Sequence, residues 1–137
     1  MSGGRAYSSD RRQRHTFASG TVMESCRPTR PHLKGVHVFI AILDFSTAEA
    51  DRPAALAQLG AERFAVRAMP GCVNFRAFAS PECETDITVL HEWNDETSFR
   101  AYLESEEFKR SGVTLRPLMS ETPLSRRFRA ELVESVA

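Results

Sequence analysis

A chain of 137 residues with 42% hydrophobic side chains holds apolar material for one core and too little for two. Its formal net charge is zero, yet residues 1–34 carry seven Lys/Arg against two Asp/Glu while the remainder carries 11 against 16, so the part with hydrophobic periodicity is acidic. That balance excludes a folded domain built to neutralise phosphate backbones, and no apolar run approaches the ~18 residues of a membrane span, so no nucleic acid and no membrane is expected as a partner.

Residues 1–34 are rich in Ser, Gly, Arg and Pro and read as an irregular, disordered basic extension. The arginines of RRQRH are followed by no apolar targeting segment, and the change of composition makes Met23 a candidate start. Residues 35–137 form the expected domain. Cys26, Cys72 and Cys83 are an odd set without CxxC spacing, which suggests neither a disulfide framework nor a zinc site and fits a reducing cytoplasm. His15, His32 and His37 lack metal-ligand spacing, so no metal site is expected.

The run VHVFIAILDF is β-branched and aromatic and predicts a first strand over 36–45. A helix over 52–68 follows, with Asp51 as N-cap, Pro53 in its first turn and Pro70-Gly71 as its stop. Leu56, Leu59, Arg63 and Val66 fall on one stripe that Phe64 widens. CVNFRAFAS and TDITVLHEW are two further strands joined by the loop residues PECE, hence antiparallel neighbours. Asn94-Asp95 opens a second helix over 95–105 carrying Phe99, Tyr102 and Leu103, a short turn follows at Glu107–Arg110, and LSRRFRAELV predicts a last strand over 125–134.

The order β-α-β-β-α-β is the ferredoxin-like α+β plan, two helices over one face of a four-stranded antiparallel sheet. Phe39, Phe45, Phe75, Phe78, Ile87 and Val89 cannot all point at two helices, since side chains alternate along a strand. An apolar outer face of several hundred Å² is unusual in a monomer, so a homodimer with sheet packed on sheet is expected.

Trp93 and His91 lie two apart on one strand and share a face. Core packing and a place in a cavity are both open for Trp93 from the residues alone. A His titrates near neutral pH, which makes His91 the candidate base for moving a proton of an aromatic ligand. Arg76 on the neighbouring strand is the candidate counter-charge for the anion, and Asn74 shares its face as a hydrogen-bond donor. Tyr102 and Phe108 are candidates for substrate contact or core packing. Arg126, Arg127 and Arg129 read as a strand edge kept soluble by charge.

VHVFIAI, MPGCVNF, VLHEWND, TSFRAYLES, EEFKR and LRPLMSETP, in that order and spacing, resemble the antibiotic biosynthesis monooxygenase domain family over residues 36–124. The resemblance implies a dimeric ferredoxin-like α+β barrel and, from some members, a cofactor-independent monooxygenase that oxidises a quinol, phenol or polyketide-like aromatic with O₂. It also implies Trp93 in the cavity. Other members degrade haem, and many have no assigned activity, which leaves a non-catalytic small-molecule-binding or interaction module as the alternative. Where many members carry a helix His resembling a haem ligand this chain has Tyr102, where many have Glu it has His91, and the first strand lacks the Asn of haem-degrading members. Haem chemistry is therefore the third reading.

Overall fold

The computed structural model describes residues 37–137. The expected basic extension, with Met23, Cys26, His15 and His32, lies outside the described residues. Strand β1 (His37–Ser46) leads through a 3-10 turn (Glu49–Asp51) into helix α1 (Arg52–Arg67), then strands β2 (Cys72–Ala79) and β3 (Asp86–Trp93). Helices α2 (Glu96–Leu103) and α3 (Glu106–Leu115), a second 3-10 turn (Arg116–Leu118) and strand β4 (Leu124–Glu131) complete the chain order. All neighbouring strands are antiparallel, in the order β2-β3-β1-β4, so the expected ferredoxin-like α+β fold is present.

The local chemistry explains most boundaries. Asp51 does not cap α1 with its side chain, as expected from sequence, because it is itself helical and ends the 3-10 turn that feeds the helix, with Pro53 in the first turn. Gly71 stops the segment after α1 in a left-handed conformation, φ 84°. A Cβ there would lie 2.1 Å from Ser98 Oγ, and the Gly71 carbonyl accepts from the Asn94 N–H at 2.7 Å. One glycine thus lets the exit of α1 press on the β3–α2 junction. At that junction Asp95 caps α2 by accepting from Ser98 N–H at 2.8 Å.

The sequence suggested one helix and a short turn after Asp95, where the structure has two full helices. Ser105 breaks the run and caps the second, its Oγ accepting from Phe108 N–H at 3.2 Å, and α3 continues to Leu115. Strand β4 ends at Glu131, opposite His37, so residues 132–134 fall outside the strand predicted for them. Phe64 does not widen the apolar stripe of α1. It is 60% exposed, with the Arg63 guanidinium over its ring.

Phe39, Ala41, Phe45, Phe75, Ile87, Val89 and Trp93 face the helices and make the core with Leu59, Val66, Phe99, Tyr102 and Leu115. Of the six apolar side chains expected to divide between the faces, only Phe78 points away, paired with Thr88. The outer face is apolar through other residues. Leu90 lies beside Ile42, and Ile40 beside Phe128, with Val38 next along β1. An Asp44–Arg126 ion pair at 3.0 Å and a Thr88 hydroxyl donating to Asp44 close one end of this strip.

Candidate active site

Between the inner face of the sheet and helices α1 to α3 lies a cavity of about 570 Å³, within the size range of small-molecule sites. Its walls are largely aromatic and aliphatic: Phe75, Val89, Phe99, Tyr102, Phe108 and Leu115 line it. His91, Glu62 and Ser111 supply polar atoms within, and Arg116, Glu121 and Arg127 bring charge to its rim. The regular alternation of β3 places Ile87, Val89, His91 and Trp93 on the cavity side.

Trp93 is fully buried and is not part of the cavity surface. It stands behind His91, and its indole Nε1–H donates to His91 Nδ1 at 2.8 Å. An indole nitrogen can only donate, so Nδ1 must accept, and the neutral imidazole then carries its proton on Nε2. The ring is held on further sides by Phe75, Phe99 and Tyr102, with centroids 5.4, 5.6 and 5.6 Å away. Burial, and then the positive Arg127, lower its pKa from the usual range to about 4. His91 was expected as a base. Its accepting lone pair is occupied and its charged form disfavoured, which leaves Nε2–H as a donor.

Tyr102 stacks on Trp93, with centroids 5.3 Å apart and planes 30° apart, and meets Phe108 edge-on at 5.3 Å. Both candidates for substrate contact, Tyr102 and Phe108, line the cavity. Burial, and then the negative charge of Glu62, push the Tyr102 phenol well above its ordinary range, so it stays protonated.

Asn74 and Arg76 are on the other side of the sheet. Asn74 pairs with Glu92 and Arg76 with Leu90, whereas Phe75 pairs with His91. The cause is a bulge at Val73, between Cys72 and Asn74, since an unbroken register from the Cys72–Trp93 pair would have set Asn74 opposite His91. Arg76 is exposed, and the Asn74 side-chain oxygen accepts from the Phe75 N–H at 3.0 Å. Neither lines the cavity.

Two residues that sequence reasoning left aside take those places. Glu62 sits on α1 three residues after Leu59 and four before Val66, so it lies on the stripe that packs inward. Its carboxylate accepts from Ser111 Oγ at 2.9 Å and from Gln58 Nε2 at 3.0 Å, which ties α1 to α3. Burial raises its pKa, against the lowering effect of those two hydrogen bonds. Each carboxylate oxygen has a second lone pair, so the group can still accept from a ligand. Arg127 pairs across Ala41 from His91 on the inner face, with its guanidinium 5.0 Å from the Phe99 ring centroid. The signals were an acid within an apolar stripe and an Arg alternating with Phe128.

Cys72 is buried beside Trp93 and its thiol is pushed up to about 11 by burial, so it is not a ready nucleophile. Among the described residues no cluster of three or more His, Cys, Asp or Glu could hold a metal ion, and no helix is long and apolar enough to cross a membrane.

The family model for antibiotic biosynthesis monooxygenase matches residues 38–111, more than half of the chain. The chain belongs to the antibiotic biosynthesis monooxygenase family. The matched stretch contains Glu62, His91, Trp93, Tyr102 and Phe108 and stops short of β4 and Arg127. A Nitrosomonas europaea protein that carries this family's name provisionally superposes with a TM-score of 0.66 at 14% identity, over 73% of this chain and 95% of its own. A Mycobacterium tuberculosis protein gives 0.64 at 17% identity, over 72% and 99%. One from Chloroflexus aurantiacus, with the same provisional name, gives 0.61 at 19%, over 73% and 99%. At these identities the likeness shows the fold. No functionally curated protein matches the chain.

Proposed function

We propose that the protein is a monooxygenase that uses O₂ to oxidise a quinol, phenol or polyketide-like aromatic in the cavity between sheet and helices, without a cofactor. The observation that supports this most is the pairing of an aromatic-walled cavity of about 570 Å³ with His91 Nε2–H as donor and the Glu62 carboxylate as acceptor. A quinol or an oxygenated phenol uses both: one hydroxyl donates to Glu62, and a second oxygen substituent accepts from His91. Glu62 takes the proton, because His91 has no free lone pair to receive it. Arg127 at the rim offsets the phenolate charge, the role that the sequence suggests for Arg76.

The phenolate is the electron-rich form that reacts with O₂. Conversion of a ring C–H to a quinone carbonyl places one oxygen atom in the product and releases the other as water, and the substrate itself supplies the four electrons. The apolar walls exclude water from the intermediate anion. Trp93 and Tyr102 act as a rigid stack that fixes the His91 ring.

The proposal includes a homodimer formed through the apolar strip of Val38, Ile40, Ile42, Leu90 and Phe128 on the outer face, where sheet packs on sheet. The site of a soluble protein of this kind would serve a cytoplasmic substrate.

The test is oxygen uptake by purified protein with a panel of hydroquinones and anthrone-like phenols, using labelled ¹⁸O₂. Turnover above background with one labelled atom per product molecule is the expected result, with kcat reduced in Glu62→Gln. Substrates that bind without turnover would favour the alternative, a non-catalytic binding module, which the occupied lone pair of His91 also suits.

A further inference from the structure

From β3 to the end of the chain there are seven basic side chains, and five of them meet acids. Arg100 and Arg129 pair with Glu96, Lys109 with Glu106, Arg110 with Glu107 and Arg126 with Asp44. The two without a carboxylate partner among the described residues, Arg116 and Arg127, are the two that line the main cavity. Neither acid of the lining neutralises them. Glu62 is held by Ser111 and Gln58, and Glu121 on the rim forms no ion pair with either arginine.

Arg127 already has a task. Its guanidinium lies over the Phe99 ring, which also packs against His91, so its charge serves the ring end of a bound aromatic. Arg116 is left, and a glycine sets its place. It opens the second 3-10 turn, four residues after Gly112 of α3, and a Cβ built on Gly112 would lie 3.4 Å from Arg116 Nε. The side chain therefore lies back along the helix over Gly112, which itself lines the cavity, instead of extending freely into solvent. Glycine inside a helix is less stable than alanine, and here the missing side chain makes room for that contact. A planar fork of N–H donors at the mouth of a cavity, with no acceptor of its own, fits a carboxylate.

We propose that the substrate is an aromatic acid: a quinol or oxygenated phenol whose short side chain ends in a carboxylate, bound at the mouth by Arg116. This rests on the cavity being the site of aromatic oxidation and specifies what enters it. The ring oxygens meet Glu62 and His91, Arg127 offsets the ring anion, and Arg116 offsets the carboxylate. The two unpaired cations of the lining thus match the two negative charges of the reacting substrate. Glu121 faces the same mouth and opposes the carboxylate, which keeps affinity for the acid moderate.

The test is calorimetric titration of the full chain without oxygen, so that binding is read apart from turnover. The probes are 2,5-dihydroxyphenylacetate and 3-(2,5-dihydroxyphenyl)propanoate, each against its methyl ester. At least one acid should bind tenfold or more tighter than its ester. That preference should shrink to less than twofold in Arg116→Gln, survive in part in Arg116→Lys and grow in Glu121→Gln, while the esters bind all four proteins alike. Esters that bind as well as their acids, or a preference unchanged in Arg116→Gln, overturn this inference and leave the oxidation of neutral phenols standing. If neither acids nor esters bind, the reading of the cavity falls and this inference falls with it.

Discussion

The two faces of this sheet are made by alternate residues of the same four strands, and they do different things. The inner face buries Phe39, Phe75, His91 and Trp93 around a cavity, whereas the outer face leaves Ile40, Ile42 and Leu90 only half-buried and Phe128 exposed. Specific geometry is concentrated inside, where one indole N–H sets the proton position of one imidazole. Outside, the residues are interchangeable apolar surface edged by a single ion pair and a hydroxyl contact. A strand can therefore supply a precise polar site to one side and a generic contact surface to the other.

If that contrast holds, the costs of substitution should separate by face. Trp93→Ala is the largest: it removes a fully buried indole and the donor to His91, and should lower stability by about 3–5 kcal/mol, measured by urea unfolding.

Next comes pH. His91 has a folded pKa depressed to about 4, so in the acid range the unfolded chain binds its proton first. Its contribution is full above the unfolded value of about 6.5 and is lost as pH falls towards 4, about 3 kcal/mol in total. Unfolding titrations across that window should show the loss in the wild type and not in His91→Phe.

Trp93→Phe keeps an aromatic ring but leaves Nδ1 unpaired, which should cost about 1–3 kcal/mol and free that lone pair for titration. Its measurement is the His91 ring ¹⁵N shift against pH. On the outer face, Asp44→Ala removes the Arg126 pair and the Thr88 contact, both part-exposed, and should cost no more than about 1 kcal/mol. Ile40→Glu should likewise leave the folded protomer intact while separating the proposed dimer, read by sedimentation. A large loss of protomer stability there would break the contrast between the faces.

The elements were legible because the signals are local. Alternation marked β3, Pro70-Gly71 marked the end of the first helical segment, and Asp95 marked the start of the second. The ferredoxin-like order followed from them. The site was legible only in part, because it depends on register. His91 reaches the cavity as its spacing on β3 suggested, and Tyr102 and Phe108, for which the sequence left core packing and substrate contact both open, line it too. Asn74 and Arg76 do not, since the single extra residue at Val73 turns them to the opposite face, and no residue type announces such a bulge. Trp93 was expected in the cavity wall, but its ring is held behind His91 by the same alternation that placed it on that face. Glu62 carries no sequence signal of its own and Arg127 reads as a solvated strand edge, because a lone acid on a helix and a basic strand edge are both ordinary when solvated. Only the packing of α3 through Ser111, and the pairing of β4 across Ala41, bring them to the cavity.

The most direct test of the central claim is backbone and side-chain shift mapping with a bound hydroquinone. The inner-face residues His91, Tyr102, Phe108 and Ser111 should move, with His91 observed as its Nε2–H form, while Ile42, Leu90 and Arg76 stay in place. Shifts confined to the outer face, or a His91 protonated on Nδ1 in the complex, would contradict it.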